Sequence, residues 1–235
     1  MSDPRAASPW GVGLVALFVT ALVTAQVTAA KLLQFGLPVD LPLVGGALVL
    51  PGAALAYALT FFASDCYAEL YGRRAATVLV NVGFVMNLVL LALVWSTIEA
   101  PALPASAPGQ VDLAAFRSVL GASTSIVAGS LAAYVVSQNW DVLVFYRIRE
   151  ATGGDYLWLR NLGSTATSQL IDTAVFVGVG FVLLGSTTVE TALALVVGQY
   201  LFKLGVAVLD TPFVYAVVAL ARSRRDTESM TAWAR

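Results

Sequence analysis

The chain contains no histidine, only one cysteine and very little charge. Without histidine there is no imidazole metal site, no Ser/His/Asp triad and no histidine proton relay. Cys66 has no second thiol to pair with, so an intrachain disulfide is excluded. Charged residues make up 11% of the 235 positions, where a soluble domain carries about 25%. No P-loop pattern occurs, which excludes ATP hydrolysis by that route. The net charge of −1 excludes a nucleic-acid binder that relies on a basic face. What fills the chain instead is apolar: 59% hydrophobic residues and a mean hydropathy of +0.83. A soluble protein of this size cannot hide so much apolar surface, because most of a domain's surface faces water. The composition predicts an all-α membrane protein in place of a soluble enzyme or a disordered chain.

A helix needs about 20 apolar residues to cross the hydrocarbon core. Six segments qualify: 9–30, 43–62, 75–98, 123–146, 163–184 and 191–221. They predict six transmembrane helices in one bundle, a single membrane domain over 1–235 with short tails at about 1–9 and 222–235. The second segment contains Gly45-Gly46 and Pro51-Gly52, so it is expected to start with a bent or re-entrant stretch. The sixth carries Pro212, which should kink it or end a half-helix. Reading the first segment as a secretory signal is the minor alternative, because its apolar run exceeds the usual signal core. Between spans three and four, Pro101, Pro104 and Pro108 precede Val111–Leu120, a candidate surface helix of amphipathic character.

Arginine and lysine set the orientation. Arg5, Arg73, Arg74, Arg147, Arg149, Arg160, Arg222, Arg224, Arg225 and Arg235 fall on one side of the six-span layout; only Lys31 and Arg117 fall on the other. By the positive-inside rule both termini are cytoplasmic and the host is the cell membrane.

Polar residues inside such spans are costly, about 2.5–3.5 kcal/mol for a charge at the helix centre, and usually serve pairing or function. Three clusters and one span stand out. Asp65 and Glu69 close the second span and share a helical face, with Tyr71 and Gly72 following. A helix-end charge patch, with Glu69 paired to Arg73, is the plain alternative for them; Gly72 reads as a helix C-cap. In the fourth span Gln138, Asp141 and Phe145 share a face; here the alternative is a polar helix end at the interface. In the fifth, Asn161, Thr165, Gln169 and Thr173 form one column and Ser164, Ser168 and Asp172 the next. If that helix starts near Asn161, Asp172 lies about 16 Å along it, roughly mid-membrane. Helix packing accounts for the small hydroxyls but not for Gln169 or Asp172. In the sixth span Lys203 and Asp210 are too far apart to pair, so each needs a partner on another helix or water, and structural neutralisation of Lys203 by a neighbouring Asp is a serious alternative to a ligand role. Intramembrane and interfacial acids outnumber lysines, which suits a neutral or cationic ligand rich in hydrogen-bond donors.

Two of these clusters also carry a resemblance. Ser64-Asp65 with Glu69, Tyr71 and Gly72 is similar to an S/T-D-x-x-x-E-x-Y-G signature. Arg160-Asn161, Ser164-Thr165, Ser168-Gln169, Asp172-Thr173 and Phe176 are similar to R-N-x-x-S-T-x-x-S-Q-x-x-D-T-x-x-F, with Gly163 as a departure. Together they resemble the queuosine precursor transporters, also called the vitamin uptake transporter family, from roughly the second span to the sixth. The resemblance implies a secondary transporter, not an enzyme, that imports 7-cyano-7-deazaguanine or 7-aminomethyl-7-deazaguanine for tRNA modification. It implies no cofactor or metal, a small-molecule substrate and the lipid bilayer as partners, and no nucleic acid; a homo-oligomer stays open. The substrate-binding candidates are Asp65, Glu69, Tyr71, Gln138, Asp141, Arg160, Asn161, Ser164, Thr165, Gln169, Asp172 and Lys203. A carboxylate among Asp65, Glu69 and Asp172 is expected to accept the base's N1–H and amino group. Trp140, Tyr67, Tyr71 or Phe145 could stack on its faces. The alternative is a membrane substrate-binding subunit working with separate ATPase partners, as in energy-coupling-factor importers.

Overall fold

The computed structural model describes residues 9–41, 45–153 and 155–233, with the backbone alone at 41, 157, 158, 160, 161 and 225–233. Helix α1 spans Pro9–Thr28, with proline at its first turn, where no amide is needed. An antiparallel pair follows, β1 (Leu32–Leu41) and β2 (Gly45–Pro51), in which Leu32 faces Pro51 and Phe35 faces Leu48. Helix α2 (Ala53–Tyr71) turns sharply into α3 (Arg73–Glu99) at Gly72. There φ is +88° and the amide donates to the Ala68 carbonyl at 2.8 Å, the C-cap geometry expected of a glycine. The short α4 (Leu113–Gly121) starts on Asp112, whose carboxylate accepts from the Ala114 amide at 2.9 Å. It has no buried residue, and Arg117 ties it to Glu99 at 2.6 Å. Helix α5 (Ser123–Ala151) packs along α6 (Leu157–Val177), which widens into a π-helical turn over Gly178–Leu183. Helix α7 (Val189–Trp233) completes the bundle.

The second segment is where the expected layout needs correction. Gly45–Pro51 of it is strand, and the helix begins only at Ala53, halfway along, and runs on to Tyr71. Pro51 donates no amide, and Gly52 sits where a Cβ would meet the Thr28 carbonyl oxygen at 2.3 Å, so the chain turns tightly there before the helix starts. Because Gly45–Pro51 pairs with β1, the backbone groups along one edge of this apolar run are hydrogen-bonded without a helix. Helix α7 runs through Pro212 as one continuous helix. Five stretches among the described residues are long and apolar enough to cross a membrane: Pro9–Thr28, Arg73–Glu99, Leu113–Ala151, Leu162–Leu183 and Val189–Arg224. Helix α2, with Asp65 and Glu69 in its last turns, is not among them. The protein is an all-α membrane protein with one small hairpin.

Its interior is built from small residues. Ala25, Ala29, Ala53, Ala133 and Ala192 surround Phe176, Val177, Phe181 and Leu195, joining α1, α2, α5, α6 and α7. Where α5 meets the π-turn, a Cβ on Gly129 would lie 2.9 Å from the Gly180 nitrogen, so the two backbones touch. Large apolar side chains such as Leu93, Val135, Val208, Leu209 and Phe213 point outward, as lipid requires. Gln26 of α1 is an exception to this packing: it is 1% exposed, and neither amide atom has a hydrogen-bond partner. Orphaned buried polar atoms cost about 1–3 kcal/mol. Gln26→Met is therefore expected to raise the melting temperature of the detergent-solubilised protein. A lower melting temperature would show that the amide is satisfied in the working protein.

Candidate ligand cavity

Helices α1, α2, α3, α5, α6 and α7 enclose a cavity of about 320 Å³. That is near the lower end of small-molecule sites, which run about 300–1,000 Å³. Its walls are unequal. One side is aromatic: Phe84 of α3 and Tyr134 of α5 lie with ring centroids 4.4 Å apart and planes tilted by 42°. The Tyr134 hydroxyl donates to Asn81 at 3.2 Å, which fixes the ring. Tyr57 and Phe61 of α2, and Phe202 of α7, extend this apolar lining.

Another part of the lining is charged. Lys203 of α7 donates to Asp172 of α6 at 2.8 Å and to the Thr173 hydroxyl at 3.1 Å. Ser137 of α5 donates to the other Asp172 oxygen at 3.2 Å. Both charged side chains stay partly accessible, 19% for Lys203 and 28% for Asp172. Helix α6 delivers this arrangement through its periodicity. The Ser164, Ser168 and Thr173 positions are buried against neighbouring helices, while Gln169 and Asp172 border the cavity. The Asp172–Lys203 contact thus joins the two polar spans, and it supplies the interhelical partner that Lys203 needs. The pair is net neutral, which lowers the penalty of keeping both charges at membrane depth.

Of the residues singled out from the sequence, Gln138, Gln169, Asp172 and Lys203 meet around this cavity. Asp141 is tied in one layer away, accepting from Ser168 at 3.2 Å. Ser164 is buried in the packing surface of α6, and Thr165 is exposed. The side chains of Arg160 and Asn161 lie outside the described residues. Asp65 and Glu69, also named as substrate-binding candidates, do not join the cavity. Both are exposed, and Glu69 instead faces Arg222 at 3.7 Å. The reason is their position along α2: the lining from this helix ends at Ser64, and Asp65 and Glu69, on the same column as Phe61, lie beyond it in the last turns before Gly72. Tyr71 stacks on Tyr67 at 4.6 Å and packs over Gly11 of α1, where a Cβ would come within 2.9 Å of its hydroxyl. The aromatic wall is made by Phe84 and Tyr134, while Trp140, Tyr67, Tyr71 and Phe145 lie off the lining.

Asn87 of α3 and Gln199 of α7 also line the cavity. They are buried, at 3% and 7% exposure. Asn87 was legible in principle, being a carboxamide inside an otherwise apolar span.

An apolar bundle around a cavity with a partly accessible ion pair defines a multi-pass membrane protein with a polar interior site. Residues 51–217 match the profile of a family described as "Putative vitamin uptake transporter". The chain belongs to this vitamin uptake transporter family, and is accordingly a transporter and not an enzyme. It is 35% identical over 161 residues to the "Probable queuosine precursor transporter" of Bacillus subtilis (strain 168), an alignment that covers 68% of each chain. No solved structure matches.

Proposed function

We propose that the protein imports 7-deazaguanine bases, 7-cyano-7-deazaguanine first and 7-aminomethyl-7-deazaguanine second, as a secondary transporter of the cell membrane. The observation that carries this reading is the pairing of a carboxylate with aromatic rings in one cavity: Asp172 beside Lys203, and Phe84 with Tyr134. A guanine-like ring presents N1–H and an amino group on one edge, a donor pair matched to a carboxylate. Its O6 is an acceptor for Lys203, Gln138 or Gln169. Its faces stack on aromatic rings, as bases do on other proteins. The name of the Bacillus subtilis relative points to the same substrate class.

In this reading α2 is a sixth, less apolar span, and both termini are cytoplasmic. The contact between Arg222 and Glu69 puts the ends of α2 and α7 together, in keeping with the concentration of arginine on that side. The purified protein, reconstituted alone in proteoliposomes, is expected to take up labelled 7-cyano-7-deazaguanine without ATP. Unlabelled 7-aminomethyl-7-deazaguanine should compete, and adenine, which lacks the N1–H and 2-amino donors, should not. Binding without uptake would favour a substrate-binding subunit that needs an ATPase partner. Neither binding nor uptake would refute the substrate assignment.

A further inference from the structure

The ion pair and aromatic wall leave Asn87 without a task, and the Ser130 hydroxyl beside the same cavity likewise has no hydrogen-bond partner. Asn87 lines the cavity, is 3% exposed, and its Oδ1 finds no hydrogen-bond partner. A carboxamide buried at membrane depth with an orphaned oxygen destabilises the fold unless a ligand uses it. Its position is apt for that use. Asn87 is 14 residues into α3 and Asp172 is 15 residues into α6. Both helices pack on α5, and the two groups line the same cavity from different helices. Phe84, one turn before Asn87 on α3, belongs to the aromatic wall. A planar ring stacked there would bring one of its edges to Asn87. The terminal torsion of asparagine is soft and roughly two-fold, so oxygen or amide can turn toward the cavity.

We propose that Asn87 is a specificity-determining residue whose carboxamide reads the N3/N9–H edge of the base. Its oxygen accepts the pyrrole N9–H and its amide donates to N3, a pairing that fits a carboxamide's adjacent acceptor and donor. This rests on the transport of 7-deazaguanine bases proposed above. Asp172 then takes the neighbouring N1–H and amino edge, and the two walls together recognise both donor edges. A ribose or methyl group on N9 removes the donor and places carbon against a buried side chain. Asn87 therefore selects the free base over its nucleoside.

The test is equilibrium binding of 7-cyano-7-deazaguanine and its 9-methyl derivative to the full-length protein in detergent. Wild type is expected to prefer the parent base by about 100-fold or more. Asn87→Leu, nearly isosteric, is expected to weaken parent binding by about 10- to 100-fold and to change binding of the 9-methyl compound far less. Its melting temperature without ligand should equal or exceed that of wild type, because the orphaned oxygen is gone. Asn87→Ser, smaller and still polar, should shift the preference in the same direction if the leucine variant does not fold. Unchanged parent affinity, equal losses for both compounds, or a wild type indifferent to the 9-methyl group would overturn the role of Asn87 while leaving base transport standing. A wild type that binds neither compound would overturn both.

Discussion

Asp172→Asn is expected to reduce uptake of 7-cyano-7-deazaguanine by about 30-fold to several-thousand-fold, since losing one partner of a buried charged hydrogen bond costs about 2–5 kcal/mol. Asparagine keeps the shape but turns one acceptor oxygen into a donor, which then opposes the donor edge of the ring. The variant also strands Lys203, which keeps only its contact to Thr173. Lys203→Met strands the carboxylate in turn. Breaking a buried pair from one side typically costs about 3–5 kcal/mol, and the residual exposure of both groups to the cavity places this pair toward the lower figure. The double variant Asp172→Asn/Lys203→Met separates structure from recognition. With both charges gone, thermal stability should recover toward wild type, because the neutral pair leaves no lone charge at membrane depth. Uptake should not recover, because the acceptor edge is still missing. A double variant that transports normally would show that the ion pair only neutralises the bundle interior.

A second large effect on folding is expected at Gly198 of α7. A Cβ there would lie 2.2 Å from the Val49 carbonyl oxygen, 3.2 Å from its carbon and 3.3 Å from its nitrogen. The obstacle is backbone on β2, which cannot swing aside as a side chain does. Gly198→Ala must separate α7 from the hairpin, and forced overpacking of this kind costs about 1–3 kcal/mol, with a larger loss for Gly198→Val. Both variants should show reduced recovery of monodisperse protein and a lower melting temperature. Gly205, nearly two turns further along the same helix, is the control, because nothing lies within 4 Å of its Cβ position. Gly205→Ala should be neutral or stabilising, since alanine is favoured over glycine in a helix by about 1 kcal/mol. Equal behaviour of the two alanine variants would mean that α7 does not pack closely on β2.

The amino-acid sequence by itself determined the class of the protein, because too little charge and too much apolar length leave only the membrane as solvent. It determined the helices at 9–28, 73–99 and 123–151 to within a few residues, since long apolar runs leave little choice of secondary structure. It also determined the turn at Gly72 and the polar stripe of α6, which are local matters of backbone freedom and helical period. The hairpin was not legible in this way: whether 45–51 is helix or strand depends on a partner strand at 32–41, and short apolar runs carry no periodicity that separates the two states. Nor could the sequence say which acids meet which bases. Asp65, Glu69 and Asp172 look alike as carboxylates in or beside apolar spans. Only the rotation of each helix about its axis, set by close contacts such as Gly129 with Gly180 and Gly198 with Val49, turns Asp172 toward Lys203 and Glu69 toward Arg222. A rotation of 100° per residue separates neighbouring positions on a helix. One residue of phase therefore decides whether a polar group lines the cavity or leaves it, and that phase belongs to the packing of the bundle.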